Sequence, residues 1–259
     1  MSLCVVGHVG SDVFVHDGVA RSYVGGSMFH FLNGYAVSGA ACEGLTWTTT
    51  EIAAQATARL PERVSLEAFT VPDAPTFEIH YAGETLTRFD ISNLQMPEVF
   101  PHRVGRRDSL HCTAMPLPDV IRILEQARPD SWSLQLHQSV LPSKAEFDAL
   151  PTLPSLIFCN SGEYESCPSE FRALPDVTWV VTDRDRVRVF VAGQQRSTYS
   201  FEPTDDVVDP TGAGDVFAGA TLGVARRGIG LDFAVRFGVG AAAVVLSDWS
   251  SEAFAHWWR

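Results

Sequence analysis

The sequence is short of positive charge. Its 19 Lys and Arg residues face 31 Asp and Glu, a formal charge of −12 at pH 7. That balance argues against a long basic track for nucleic acid. Arg103, Arg106 and Arg107 form a local basic group too short to change this, and they read as part of a solvated loop. Long hydrophobic runs are missing too: none reaches the roughly 18 residues of a membrane-spanning helix. The opening stretch MSLCVVGHVG has neither the basic start nor the long apolar run of a secretory signal. A soluble, cytoplasmic protein with no nucleic-acid or membrane partner is therefore expected. Cysteine is sparse: the five residues, at 4, 42, 112, 159 and 167, form no CxxC pair. Cys4, Cys112 and Cys159 lie in apolar runs, which suits buried reduced thiols better than disulfides or zinc ligands. The string GxxxxGK[ST] is absent, and with it the usual P-loop lysine.

What is present suits a globular α/β protein. Apolar residues make up 46% of 259 residues, enough for one large domain or two small ones. LCVVGHVG reads as a buried strand. VFVHDGVARSYV alternates around His16-Asp17-Gly18, a hairpin signal, and TFEIHYAGETLTRFDI repeats the signal with Ala82-Gly83-Glu84 as its turn. GGSMFHFLNGYAVSGA places Gly25-Gly26 at the start of a helix, where free backbone N–H groups point outward. LTWTTTE, SLHCTAM, SWSLQLHQ, SLIFCN and TWVVTD read as strands. IAAQATARL, PDVIRILEQARP, SKAEFDALP and SEFRALP read as helical or mixed. The last long segment reads as two small-residue-rich helices broken near Arg227-Gly228-Ile229-Gly230. Strands alternating with helices predict a mostly parallel sheet, to which two hairpins can only be additions. His111 and His137 lie in strand-like runs without metal-ligand spacing and read as structural.

The stretch DPTGAGDVFAGA, 209–220, carries the chemistry. A dinucleotide fingerprint needs a preceding strand, a following helix and an acid about 20 residues on, which neither Gly212-Ala213-Gly214 nor GVGAAA at 238–243 provides. Gly238 and Gly240 read instead as sites of tight helix packing. Gly212, Ala213 and Gly214 lack bulk, so their N–H groups can close around an anion at a helix start. Asp215 then falls in the first turn. It can accept a proton from a hydroxyl attacking a phosphate, or simply cap its helix. Spacing alone does not choose.

DPTGAGD at 209–215 resembles the signature of the ribokinase-like, or PfkB, carbohydrate kinases. VVGHVGSDVF is similar to that family's first strand and loop, GGSMFH at 25–30 to its substrate-side Gly-Gly segment, and NSGE at 160–163 to its NxxE motif. The resemblance covers nearly the whole chain. It implies one domain over 1–259: a central, mainly parallel sheet flanked by helices, with a small β lid from the hairpins at 13–24 and 76–90. It implies transfer of the γ-phosphoryl of ATP, with Mg2+, to a hydroxyl of a sugar or cyclitol, or of a nucleoside. By position, Asp215 would be the base and Gly212, Ala213 and Gly214 the anion hole. Asp12, Gly25, Gly26, His30 and Asn33 would bind the acceptor. Asn160, Glu163, Thr182 and Thr211 would serve the nucleotide, with Asn160 and Glu163 reaching the metal through water. The resemblance also allows a homodimer through the lid.

The sequence departs from the family pattern in several places. His30 replaces the asparagine of GGxxxN, with Asn33 one turn later. The TxGxxG loop appears as Thr182-Asp183-Arg184-Asp185, without glycine. The glycine–aspartate segment after the first helix is missing. Trp249, Trp257 and Trp258 have no assigned role. Arg88 reads as a solvated strand residue rather than a substrate contact. A ligand-binding relative without turnover and, on the glycine patterns alone, a nicotinamide enzyme complete the set of functions. ADP release and cofactor binding separate them. The N-terminal stretch VVGHVGSDVF…DGV…GGSMFHFLN resembles the start of inositol-kinase-like members, which favours a sugar or cyclitol as acceptor.

Overall fold

The computed structural model describes residues 2–16, 18–82, 85–203, 207 and 210–247. β1 (Leu3–His8) is buried along its whole length, as a strand between parallel neighbours must be. β2 (Gly10–His16) and β3 (Val19–Gly25) form the first hairpin; its Asp17 lies outside the described residues. α1 (Ser27–Val37) follows, buried from Met28 to Ala36. Its cap, Gly26, has φ 88°, and a Cβ there would come within 2.7 Å of the His8 carbonyl. No residue with a side chain fits that place.

β4 (Cys42–Thr48) leads into α2 (Thr50–Arg59), capped by Thr49 Oγ1, which accepts from Ile52 N at 3.3 Å. β5 (Val64–Thr70) comes next, a strand absent from the expected set although VSLEA alternates apolar and polar residues. β6 (Thr76–Ala82) and β7 (Thr85–Ser92) form the second hairpin; the expected turn residues Gly83 and Glu84 are not among those described. Beyond lie α3 (Phe100–Val104), β8 (Ser109–Cys112), α4 (Leu117–Ala127), β9 (Ser131–Gln135) and α5 (Lys144–Asp148). The chain continues through β10 (Leu156–Asn160), α6 (Ser161–Ser166), α7 (Ser169–Arg172) and β11 (Thr178–Thr182). A hairpin of β12 (Arg186–Val191) and β13 (Gln194–Ser200) precedes α8 (Ala213–Arg226) and α9 (Leu231–Leu246).

Among the described residues nine strands form the central sheet in the order β13-β12-β11-β10-β9-β8-β1-β4-β5. Every pairing from β11 to β5 is parallel; β12 and β13 add an antiparallel edge. The period of two sends β1 side chains to opposite faces. Cys4 and Val6 join the core with Trp47, Leu110, Ile123 and Trp179, while Leu3 and Val5 join that with Met28, Phe31, Phe158 and Phe217. All five cysteines are buried and free, and burial pushes the Cys4 thiol up to about 11. The hairpins meet through parallel pairing of β2 with β6, giving a second sheet ordered β3-β2-β6-β7.

α8 packs against α1 and α9 at close range because glycines remove side chains from the contacts. A Cβ on Gly219 would overlap the Phe31 carbonyl, one on Gly34 the Val216 backbone, and one on Gly238 the Thr221 hydroxyl. Gly240 differs from the expectation: a Cβ there meets open space. Two residues on from Gly238, about 200° round the helix, it is exposed on the other side.

Candidate active site

The parallel strands end on one side of the sheet, and ligands of open α/β folds bind beyond those carboxyl ends. A cavity of about 330 Å³ lies there, beneath the second sheet. Its lining includes Gln135 at the end of β9, Asn160 at the end of β10, Thr182 at the end of β11, and Asp215 from α8.

Asp215 occupies the first turn of α8. Its Oδ1 accepts from Gln135 Nε2 at 2.7 Å. Part of the carboxyl faces the cavity, yet the surrounding protein removes most of its water. Burial lifts it from 3.8 to about 7; the negative charges of Asp12 and Glu163 push the same way, and His30 and the Gln135 hydrogen bond push back. Beside it, Gly212 caps α8 with φ 75°, and a Cβ there would overlap the His30 ring. Ala213 N donates to Pro210 O at 3.3 Å, so that amide is turned inward. Gly214 is exposed to the cavity with open space where a side chain would stand. Asp209 lies outside the described residues.

Asp12 is buried on β2. Its Oδ1 accepts from Gly26 N at 3.0 Å and its Oδ2 meets His30 Nε2 at 2.9 Å. A Cβ on Gly25 would overlap this carboxylate. Gly25 and Gly26 thus make room for Asp12 and anchor it; neither lines the cavity, whereas Asp12 and His30 do. Asn33 is not brought to the cavity. Its Nδ2 donates to Phe29 O, one turn back on α1, at 3.0 Å.

Asn160 and Glu163 form a reciprocal cap on α6. Asn160 Oδ1 accepts from Glu163 N at 2.9 Å, and Glu163 Oε2 accepts from Asn160 N at 2.7 Å. Glu163 Oε1 accepts from Gln138 N at 3.0 Å. The acid is buried, not on the surface, and burial raises its pKa. Thr182 and Thr211 line the cavity, and Thr182 Oγ1 donates to Cys159 O at 3.2 Å. The glycine-free segment after Thr182 is the turn from β11 to β12, closed by Asp183 N donating to Arg186 O at 2.8 Å. Asp183 accepts from Arg188 at 2.9 Å and from the Ser161 hydroxyl.

Sequence reasoning missed several lining residues. Gln135 was visible only as part of a strand, although its place at the carboxyl end of a parallel strand was a usable signal. His137, expected to be structural, lines the cavity, where burial lowers its pKa. His111 does sit in the core, stacked on Phe31 at 4.0 Å. Arg88 is exposed and pairs with Asp90. The lid side chains Phe77, Ile79, Tyr81, Phe89 and Ile91 also face the cavity.

The two sheets and their order define the ribokinase fold. Ribokinase from Cryptococcus neoformans var. grubii, solved with ADP, aligns with a TM-score of 0.76 at 17% identity over 97% of this chain and 96% of its own. The nucleoside kinase of Methanocaldococcus jannaschii gives 0.75 at 16% identity, over 97% and 94%. A pyrophosphate-dependent kinase of the ribokinase family, solved with a pyrophosphate analogue and myo-inositol, gives 0.70 at 17% identity, over 94% of each chain. No curated protein matches the sequence. The profile of the pfkB family carbohydrate kinases matches residues 120–256, more than half of the chain. The chain belongs to the pfkB family, whose members are phosphotransferases. Among the described residues, no helix is long and apolar enough to cross a membrane.

Proposed function

We propose that this chain is an ATP-dependent small-molecule kinase that acts as one unit over 1–259. It transfers the γ-phosphoryl group to a hydroxyl of a sugar, cyclitol or nucleoside, with Asp215 as general base. The observation that carries the reading is the Asp215 carboxyl, lifted to about 7 beside the Gly212 and Gly214 backbone. A base works best when its pKa lies near the operating pH. In the step, the acceptor hydroxyl gives its proton to Asp215 while its oxygen bonds to the γ-phosphorus. The bond to the β–γ bridging oxygen breaks, and ADP leaves. No side chain caps the first turn of α8, so its free N–H groups are available to the charge that builds on the transferred group. Asp12 accepts hydrogen bonds from the acceptor and is held for that by His30 and Gly26 N.

The donor set fits magnesium through water. Both Glu163 oxygens already accept backbone N–H groups, and a carboxylate has about four acceptor sites. The remaining ones suit the waters that magnesium keeps. Bound there, magnesium would neutralise phosphate charge. The glycine-free turn at 183–185 makes the donor worth testing directly, and one similar structure is described as pyrophosphate-dependent. A homodimer through the lid would use its outer face, which carries Glu78, His80, Arg88 and Asp90; sedimentation of an Arg88→Glu variant tests this.

The experiment is turnover of purified protein with magnesium, an acceptor panel, and either ATP or pyrophosphate. ATP should support ADP release, and Asp215→Asn should lower the rate by roughly 10²–10⁴ while ATP still binds. Ligand binding without ADP release would favour a relative that has lost turnover. Near-normal rates in a folded Asp215→Asn protein would remove Asp215 as base.

A further inference from the structure

Strands β6 and β7 give the cavity only Phe, Ile and Tyr side chains, and its charged and amide groups come from β2 and the body. The body forms the floor, where His30, Gln135, Asn160, Glu163 and Asp215 stand among Leu136, Phe158 and Phe217, and Asp12 reaches it from β2, beside Phe77. The roof is the inner face of the lid. Period-two alternation sends Phe77, Ile79 and Tyr81 of β6 and Phe89 and Ile91 of β7 toward the cavity. Across the strands Phe77 pairs with Ile91 and Ile79 with Phe89, up to a register shift before Tyr81. The Phe77 and Phe89 rings lie 6.5 Å apart and only 25° from parallel. His137 reaches up from the body to 5.7 Å from Phe89. Only Ile79 is buried; Phe77, Tyr81, Phe89 and Ile91 keep part of their surface open.

Such a roof suits one kind of acceptor. A free sugar or cyclitol carries hydroxyls around its whole rim. Those turned toward phenylalanine and isoleucine would lose water and gain no partner, which is costly. The CH face of one sugar ring can cover one aromatic ring, but this wall spans two strands. A molecule with hydroxyls at one end and a flat, weakly polar ring at the other matches both floor and roof. We infer that the acceptor is nucleoside-like: a hydroxylated ring set over Asp12 and Asp215, joined to a planar heteroaromatic ring that lies against Phe77 and Phe89. This rests on reading the floor as the phosphoryl-transfer site, and it narrows the acceptor away from the sugar or cyclitol that the sequence favoured.

The test is calorimetric binding to the full chain of matched acceptors: adenosine, inosine, cytidine and uridine against ribose and myo-inositol. Stacking of a base on an aromatic side chain is worth ~1–3 kcal/mol, so at least one nucleoside should bind about five- to a hundredfold tighter than ribose. Phe89→Leu and Phe77→Leu keep apolar volume but lose the flat face. Each should cut that advantage several-fold and leave ribose binding unchanged, while Arg88→Ala on the outer face changes neither. The inference is overturned if ribose or myo-inositol binds as tightly as every nucleoside, if no nucleoside binds, or if both leucine variants keep the full advantage. The two readings fail separately. A nucleoside that binds without ADP release sinks the kinase and keeps this inference; fastest turnover on a free sugar does the reverse.

Discussion

As the proposed base, Asp215 should join catalysis to stability with opposite signs. As a base it must be ionised, so kcat/KM should rise with pH through about 7. The Gln135 hydrogen bond favours the charged form, and Gln135→Leu should move the inflection upward; a pH–rate profile reads this directly. The folded value lies above the ordinary 3.8, so the folded protein holds this proton more tightly than the unfolded chain. Its contribution to stability is complete below the ordinary value and is lost as pH rises through about 7. Asparagine carries no charge. The Asp215→Asn protein should therefore gain in thermal midpoint over the native one between about pH 5 and about pH 8, in contrast to its loss of activity. An unchanged gap across that range would mean that the carboxyl is not held in its raised state. The identity of Asp215 was legible in the sequence from DPTGAGD. Its partner Gln135 was not, because the two lie 80 residues apart.

At the scale of elements, glycines in and around α8 divide by what stands opposite them. Gly212 needs a positive φ and has the His30 ring where its side chain would be. Gly212→Ala should both unfold the protein more easily and abolish turnover. Gly214 faces open space, so Gly214→Val should fold normally and still lose activity, by about 10²–10³ if one anion-binding amide is blocked. Circular dichroism melts beside a rate assay separate the two cases. Packing gives a second contrast. Gly219 sits against the Phe31 carbonyl, and Gly219→Val should cost about 1–3 kcal/mol or more in urea unfolding. Gly240→Ala meets nothing and should stabilise by up to ~1 kcal/mol through helix propensity. The sequence made α8 and α9 readable as small-residue helices, but a glycine pattern does not tell which side of a helix has a neighbour. That is why Gly238 and Gly240 looked alike.

At the scale of the molecule, the lid is tied to the body through Asp12. Its carboxylate leaves β2 and reaches Gly26 N and His30 at the start of α1. Asp12→Ala removes this tie and, on the proposed reading, an acceptor contact with it. Acceptor binding should fall by at least tenfold, about 1.4 kcal/mol, while ATP binding is kept; calorimetry with each ligand checks both. The sequence by itself determined the alternation of strands and helices, the two hairpins beyond the parallel sheet, and the acid and glycines at the start of α8. These are local patterns, written in periods of two and 3.6 residues and in runs of small side chains. It left β5 and the β12–β13 hairpin unmarked although Val64–Ala68 and Arg186–Val189 alternate apolar and polar residues; only β13, polar and exposed at the sheet edge, lacks that signal. Only the tertiary structure decided that Gln135 reaches Asp215, that Gln138 N reaches Glu163, and that the lid faces the cavity with phenylalanine and isoleucine. Each of these depends on which segments distant in the chain meet, and a side chain's role follows from the atoms it meets.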